Sequence, residues 1–160
     1  MYRPLSKQLQ RGATLIEVMI SVLVMAIGLL GIAAMQTTAL RNSQSSLERS
    51  GAVIQAYTVL DAMRANRDIA LAGGYNTSGY LCAAPTGASL AETDKAAWLR
   101  AWKGSLGVAM DDASACGSID CQSGICDIGL KWDDSRAVNA AGSKKEAGNS
   151  AQEFMTTVQL

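Results

Sequence analysis

The chain has 160 residues, of which 49% are hydrophobic and only 5% aromatic, a size that suits one modest domain beside a membrane segment. Its 14 lysines and arginines balance its 14 acidic residues, so the zero formal net charge argues against a nucleic-acid-binding surface. The absence of histidine excludes His-dependent triads and histidine-containing metal sites, and it argues against an enzyme.

The start of the chain is short and basic, with Arg3, Lys7 and Arg11 and no acidic residue before the apolar part begins. Pro4 argues against a helix that is continuous from the first residue. An excess of lysine and arginine beside an apolar span favours the cytoplasmic side of a membrane. We therefore expect this end to stay in the cytoplasm and the rest of the chain, beyond the span, to lie outside it.

An uncharged apolar run extends from Val18 to Met35. As a helix, the segment from Ala13 to Met35 would be about 34 Å long, enough to cross a hydrocarbon core of about 30 Å. The run is longer than the core of an ordinary secretory signal, and the small residues Gly12 and Ala13 precede it instead of following it. The sequence predicts a membrane-spanning helix.

Glu17 is an unexpected acid near the start of this apolar segment. A lone acid inside a span costs about 2.5–3.5 kcal/mol on insertion scales. One explanation is that Glu17 stays near the head groups and interacts favourably with the dipole of the helix N-terminus. The residues around it favour a second explanation, which is a role in assembly.

The pattern after the apolar run becomes amphipathic without an obvious break. Leu40, Leu47 and Ile54 recur at intervals of seven residues. We predict one long helix from about Ala13 to about Ile69, whose second half lies against a domain and which ends at Gly73-Gly74. The further apolar residues of the pattern are Val53, Tyr57, Leu60 and Met63.

A second helix is predicted after a loop rich in glycine, asparagine, serine and threonine. Ser89-Leu90-Ala91-Glu92 matches the S-x-x-E capping box, whose side chains satisfy free amides at a helix start. The helix should continue to about Leu106. Trp98, Leu99 and Trp102 lie at helical spacing with Leu106, which favours a packing face over a ligand-stacking face.

The C-terminal part alternates apolar and polar residues, as expected of strands with one buried face. The alternation runs from Cys126 to Trp132 and from Phe154 to Leu160, and Cys116 to Cys121 forms a weaker first strand. These segments predict a small antiparallel meander. The stretch from Asp134 to Gln152 is predicted to be an exposed loop.

All four cysteines follow the apolar run, and they are Cys82, Cys116, Cys121 and Cys126. An even number of cysteines beyond a membrane anchor predicts two disulfides in an oxidising compartment. Their pairing is open, and reduced thiols or a zinc site are the alternatives, although the C-x2-C pairs typical of zinc are missing. The acid pairs Asp111-Asp112 and Asp133-Asp134 are interpreted as turn residues, so no metal or cofactor is predicted.

The stretch Gly12-Ala13-Thr14-Leu15-Ile16-Glu17, followed by apolar residues, resembles the processing site of type IV prepilins and pseudopilins. In that family a membrane-embedded prepilin peptidase cuts after the glycine and methylates the new N-terminal amine. The resemblance implies cleavage between Gly12 and Ala13 and methylation at Ala13, where the family usually has Phe. It also implies that Glu17 meets the amine of a neighbouring subunit, and opposite charges attract strongly in a low dielectric.

The pilin resemblance also implies an α+β fold of the type IV pilin-like kind. A long N-terminal helix, with its first half transmembrane, would pack on a small C-terminal antiparallel sheet with a second short helix. Residues 1–12 would be a cleaved leader, residues 13–36 the transmembrane and assembly half of the helix, and residues 37–160 a periplasmic head domain. The subunit would reside in the bacterial inner membrane before it enters a pilus at the cell surface.

Three shorter stretches are similar to those of one group of minor pilins, the type IV pilus modification proteins. They are Ile27–Gly31, Met63–Arg67 and Lys131–Asp134. This similarity implies a structural subunit that primes pilus assembly at or near the tip. Its partners would be the prepilin peptidase, other minor pilins and the major pilin, with no nucleic acid. A minor pseudopilin of type II secretion and a tip-displayed adhesin or binding module are the alternatives.

Overall fold

The computed structural model describes residues 12–137 and 148–160. Contacts divide the chain into two compact units, Met1–Thr37 and Thr38–Leu160. The described chain contains helices and antiparallel strands in the predicted order. The helices are α1 (Leu15–Ala65), α2 (Arg67–Leu71) and α3 (Leu90–Leu106), and the strands are β1 (Cys116–Gln122), β2 (Ile125–Trp132) and β3 (Gln152–Gln159).

The described part of the first unit contains the beginning of α1. The Glu17 backbone N–H donates to the Thr14 carbonyl oxygen at 3.0 Å, so the first turn of the helix closes on Thr14. The large apolar side chains from Leu15 to Met35 are all between 52% and 78% exposed. Among the described residues, α1 is the helix that is long and apolar enough to span a membrane.

The predicted continuation of the first helix to Ile69 is wrong, because α1 ends at Ala65 and the short helix α2 follows. The break lies at Asn66, whose φ of −122° and ψ of 49° are not helical. At the break, the Asn66 side-chain amide donates to Oη of the fully buried Tyr75 at 3.3 Å. The predicted end at the glycine pair is confirmed, since Gly73 adopts a left-handed φ of 81°.

The face of α1 that packs in the second unit includes only part of the predicted apolar pattern, since Leu60 and Met63 are buried but the three residues at seven-residue intervals are not. Leu40, Leu47 and Ile54 are 71%, 68% and 63% exposed, so the prediction that they pack against the domain is wrong. The Trp102 ring of α3 lies 3.7 Å from the position that a Gly51 side chain would occupy, and Ala52 and Ala56 are buried in the same core, so this stretch of α1 packs through small residues. The buried residues of α1 are Ser45, Glu48, Ala52, Ala56, Val59, Leu60 and Met63.

The second long helix, α3, has the predicted bounds and the predicted packing face. Its N-cap is Ser89, whose Oγ accepts from the Glu92 backbone N–H at 3.2 Å and donates to the Glu92 carboxylate at 3.2 Å. Trp98, Leu99 and Trp102 are at most 3% exposed. The Trp98 indole N–H donates to the carbonyl oxygen of Gln55 at 3.0 Å, which joins α3 to the middle of α1.

The three strands form one antiparallel sheet in the order β1-β2-β3, so the predicted meander is confirmed. The buried face of β2 is also as predicted, since its alternating residues are at most 1% exposed. Trp132 from this face lies edge-on to Trp102, with ring centroids 5.5 Å apart. The residues of that face are Cys126, Ile128, Leu130 and Trp132.

The prediction of an exposed loop between β2 and β3 is wrong at Asp134 and Ala137, which are both buried. Asp134 is only 1% exposed, and its backbone N–H donates to the Asn149 carbonyl oxygen at 2.9 Å. Residues 138–147 of this loop lie outside the described residues. The architecture confirms the fold class expected from the pilin resemblance, a long N-terminal helix packed on a small three-stranded antiparallel sheet with a short helix.

Candidate functional site

The predicted cleavage point lies in exposed, non-helical backbone directly before α1. Gly12 and Ala13 are both exposed, and no atom lies within 4 Å of the position that a Gly12 side chain would occupy. Exposed, non-helical backbone with small residues is the kind of segment that a peptidase can bind and cut. Within the described residues, the Gly12–Ala13 peptide bond is therefore exposed and lies outside α1.

Glu17 lies in the first turn of α1, on the same short segment as the predicted cleavage point. Its backbone groups are used in the helix, where its carbonyl oxygen also accepts from Ser21 Oγ at 2.7 Å. Within residues 12–137 and 148–160, no cation pairs with its carboxylate. The carboxylate is thus available to a positive group supplied from outside these residues.

The four cysteines form two disulfides, and the structure settles the pairing that the sequence left open. Cys82 pairs with Cys116, and Cys121 pairs with Cys126. Cys121 and Cys126 are directly opposite each other in the β1–β2 register, so their bond closes the hairpin. The other disulfide joins β1 to the loop before α3, next to the backbone bridge between Leu81 and Gly117.

The acid pairs are turn residues, as predicted. The Asp112 carboxylate accepts from the Ser114 backbone N–H at 2.6 Å, and hydrogen bonds from the Ser114 side chain and then from this N–H lower the pKa of Asp112. The Asp133 carboxylate accepts from the Ser135 backbone N–H at 2.8 Å in the same way. No group of three or more acidic, cysteine or histidine side chains in the described part of the chain could hold a metal ion.

A polar cavity of about 180 Å³ lies between α1 and the segment after β2. Ser45 Oγ donates to the Asp134 carboxylate at 2.7 Å, and Arg136 donates to the Glu48 carboxylate at 3.1 Å. Arg49 is a second partner of Asp134, at 3.4 Å. The residues that line the cavity are Arg41, Gln44, Ser45, Glu48, Asp134 and Arg136.

The two acids of this polar cavity are buried, while the arginines beside them are more than half exposed. The Glu48 and Asp134 side chains are 7% and 2% exposed. Burial raises the pKa of Glu48, the nearby Arg136 opposes the rise, and the negative charge of Asp134 adds to it. The sequence did not reveal this cluster because its two halves lie 88 residues apart, at Glu48 and Arg136.

Residues 7–33 match a family model described as the prokaryotic N-terminal methylation motif. The matched stretch includes Gly12, Ala13, Glu17 and most of the apolar run. Searches of curated proteins and of solved structures found no significant match. The chain therefore carries, directly before and within the first part of α1, the N-terminal methylation signature that is typical of type IV pilin-like proteins.

Proposed function

We propose that the chain is a minor pilin, a structural subunit that helps to prime assembly of a type IV pilus and is incorporated at or near its tip. The observation that carries this proposal is the methylation motif at residues 7–33. The motif is joined to a long apolar helix and to an α+β domain of the expected kind. This combination supports a role in assembly and gives no reason to assign a catalytic one.

The first step of the proposed pathway is processing by a prepilin peptidase. The enzyme cuts the exposed bond between Gly12 and Ala13, removes residues 1–12 as a leader, and methylates the new amine of Ala13. Methylation keeps the positive charge of the amine. That amine then meets the Glu17 carboxylate of a neighbouring subunit, where low dielectric strengthens the attraction.

Two apolar surfaces of α1 support assembly through this helix. The segment at residues 13–36 exposes its large apolar side chains, and in the second unit Leu40, Leu47 and Ile54 do the same. Soluble monomers rarely expose contiguous apolar surface on this scale. The seven-residue interval of the stripe suits packing against another helix. Lipid covers the first surface before assembly, and helices of neighbouring subunits cover both afterwards.

The proposed location follows from the same features. The basic start stays in the cytoplasm, the segment at residues 13–36 spans the inner membrane, and residues 37–160 form a periplasmic head. The two disulfides suit that oxidising compartment. The partners are the prepilin peptidase, other minor pilins and the major pilin.

Within the minor pilins, we place the chain with the type IV pilus modification protein, PilV. The support is the three stretches Ile27–Gly31, Met63–Arg67 and Lys131–Asp134. A minor pseudopilin of a type II secretion system is the second candidate, because the methylation motif is common to pilins and pseudopilins. Recovery of the chain in sheared pilus fractions supports the pilin. Its recovery only with secretion components supports the pseudopilin.

The test is N-terminal sequencing and intact mass measurement of the protein isolated from a host with an active prepilin peptidase. We expect a chain that begins at Ala13 and carries one added methyl group and two disulfides. Gly12→Val should block cleavage, whereas Gly28→Val, in the same apolar segment, should leave it unchanged. A wild-type chain that still begins at Met1 in this host would contradict the proposal.

A further inference from the structure

Four residues of α1 line the polar cavity, and their spacing puts them on one face of the helix. Arg41, Gln44, Ser45 and Glu48 follow each other at i, i+3, i+4 and i+7. Opposite them lie Asp134 and Arg136, from the segment after β2. The walls therefore come from two parts of the second unit, and guanidinium and amide groups lie around the same opening.

The two arginines paired with the buried acids are oriented by these acids and still have free N–H donors. Arg49 and Arg136 each donate to a buried carboxylate, yet their side chains remain 55% and 61% exposed. A guanidinium carries five N–H donors in a fixed plane. Each carboxylate thus orients an arginine while leaving donors free, an arrangement that suits recognition of an oxyanion.

Arg41 adds a third guanidinium, and this one is free to bind a ligand. It lines the cavity, is exposed, and forms no ion pair with any residue in the described ranges. The cavity lining itself is neutral when Glu48 and Asp134 are both ionised, and Arg49, which lies outside the lining but pairs with Asp134, brings the cluster to one positive charge. A phosphodiester carries one negative charge and offers two free oxygens, so it complements the site in charge and in hydrogen bonding.

The position of Arg41 in the chain indicates the source of that phosphodiester. Arg41 follows Met35, the last residue of the apolar run, by six residues. Six residues span at most about 20 Å even when fully extended. When the apolar run is in a bilayer, the Arg41 side chain therefore stays close to the lipid head groups. We propose that the polar cavity binds the phosphate of an anionic phospholipid head group, with Arg41 as the main ligand and Arg136 as a second.

This binding would act on the subunit while it is in the membrane. Before assembly, the contact would attach the cavity to the bilayer surface. It goes beyond the proposed pilin function, because it needs only a membrane-inserted helix and no peptidase or fibre. Its success or failure is therefore independent of the outcome of the cleavage test.

The proposal is tested by native mass spectrometry of the full chain in detergent, titrated with phosphatidylglycerol or with phosphatidylcholine. We expect one tightly retained phosphatidylglycerol per chain, and weaker retention of phosphatidylcholine, whose quaternary ammonium cancels the charge of its phosphate. Arg41→Gln should weaken phosphatidylglycerol binding by about tenfold, the usual effect of losing one charge-assisted hydrogen bond. The matched control is Arg100→Gln, an exposed arginine of α3, which should leave binding unchanged.

The fold should survive the Arg41 substitution, because the ion pairs of Glu48 and Asp134 remain intact. An unchanged unfolding midpoint would verify this point. Equal retention of phosphatidylglycerol by the wild type and Arg41→Gln would overturn the proposal, as would equal retention of the two lipids by the wild type. Displacement of the lipid by an equal concentration of inorganic phosphate would assign the cavity to a soluble anion, and this result would also overturn it.

Discussion

Arg136 donates to Glu48 across 3.1 Å and so joins the segment after β2 to the middle of α1. The Glu48 side chain is 7% exposed and the Arg136 side chain 61%, so the acid is buried and its partner is not. An ion pair of this kind gains attraction but loses the hydration of one charge. Its net effect on stability therefore depends on whether Glu48 is ionised.

The stability of the chain should depend on pH through Glu48. Burial raises the pKa of its carboxyl above the ordinary value of 4.5. The folded state therefore holds this proton more tightly, so the contribution of Glu48 is fully present below 4.5 and declines as pH rises through the raised pKa. Relative to Glu48→Gln, the free energy of unfolding of the wild type should fall as pH rises from 4.5 through the raised pKa of Glu48.

The measurement for Glu48 is chemical unfolding of the full chain in detergent at a series of pH values. Asp111→Asn is the matched control, because Asp111 is exposed. Its free energy of unfolding should differ less from that of the wild type across the pH range. The prediction would be wrong if the free energy of unfolding of the wild type, relative to Glu48→Gln, rose with pH. That result would show that attraction to Arg136 outweighs the cost of burying Glu48.

Ser45→Ala should destabilise the fold. The Ser45 hydroxyl donates to the Asp134 carboxylate at 2.7 Å, and Asp134 is almost fully buried. Leaving one lone pair of a buried charged group unsatisfied costs about 1–3 kcal/mol. The neighbouring substitution Ser46→Ala changes an exposed residue and should stay within about 0.5 kcal/mol of the wild type. Equal unfolding free energies for the two variants would contradict the role of Ser45.

The two disulfides should differ in their effect on stability. Cys82–Cys116 spans 34 residues of sequence, whereas Cys121–Cys126 spans 5. In the chain-entropy model, the longer loop corresponds to about 4 kcal/mol and the shorter one to about 2 kcal/mol. Replacing each pair by serines and measuring the free energy of unfolding tests the difference. A larger loss for the hairpin pair would mean that loop entropy does not dominate.

Leu47→Ala should leave the fold intact but impair incorporation into pili. Leu47 is 68% exposed, whereas Leu60 on the same helix is 1% exposed. Leu60→Ala should cost about 2–5 kcal/mol, and Leu47→Ala should cost less than about 0.5 kcal/mol. Unfolding experiments compare the two variants, and immunoblots of sheared pili measure incorporation. Normal incorporation of stable Leu47→Ala would exclude the exposed stripe as an assembly surface.

Glu17→Ala should leave membrane insertion and cleavage largely unchanged and reduce incorporation into fibres. The reason is that the proposed partner of Glu17, the amine at Ala13, comes from another subunit. Membrane fractionation, the mass of the processed chain and its amount in pilus fractions measure the three steps separately. Ser21→Ala, one turn further along the exposed part of α1, is the control. Wild-type incorporation of Glu17→Ala would refute the charge-pair explanation.

Local patterns were sufficient to predict most of the secondary structure. The capping residues Ser89 and Glu92 marked the start of α3, because a cap depends on residues only three positions apart. The alternation from Cys126 to Trp132 identified the buried face of β2, since the side-chain period of a strand is local. The methylation motif was equally local and was found from six consecutive residues, Gly12 to Glu17.

Features set by distant residues were not predictable in this way. At the helix break, Asn66 donates to Tyr75, which in turn donates to Asp94 of α3, and no local sequence pattern indicates these contacts. The packing face of α1 takes up only the last part of the predicted apolar pattern, Leu60 and Met63, and leaves the earlier part exposed. A seven-residue interval indicates that a face is apolar, but it does not say whether the partner is the same chain or another one.

The distribution of burial along α1 has a practical consequence for biochemistry. In the part of the chain that the structure describes, Ser45 is the first buried residue. A polypeptide that starts at Thr38, the first residue of the second compact unit, would keep every described core side chain and both disulfides. It would lack the apolar run that requires detergent. Such a polypeptide is the natural starting point for secretion, crystallisation and partner screening in plain buffer.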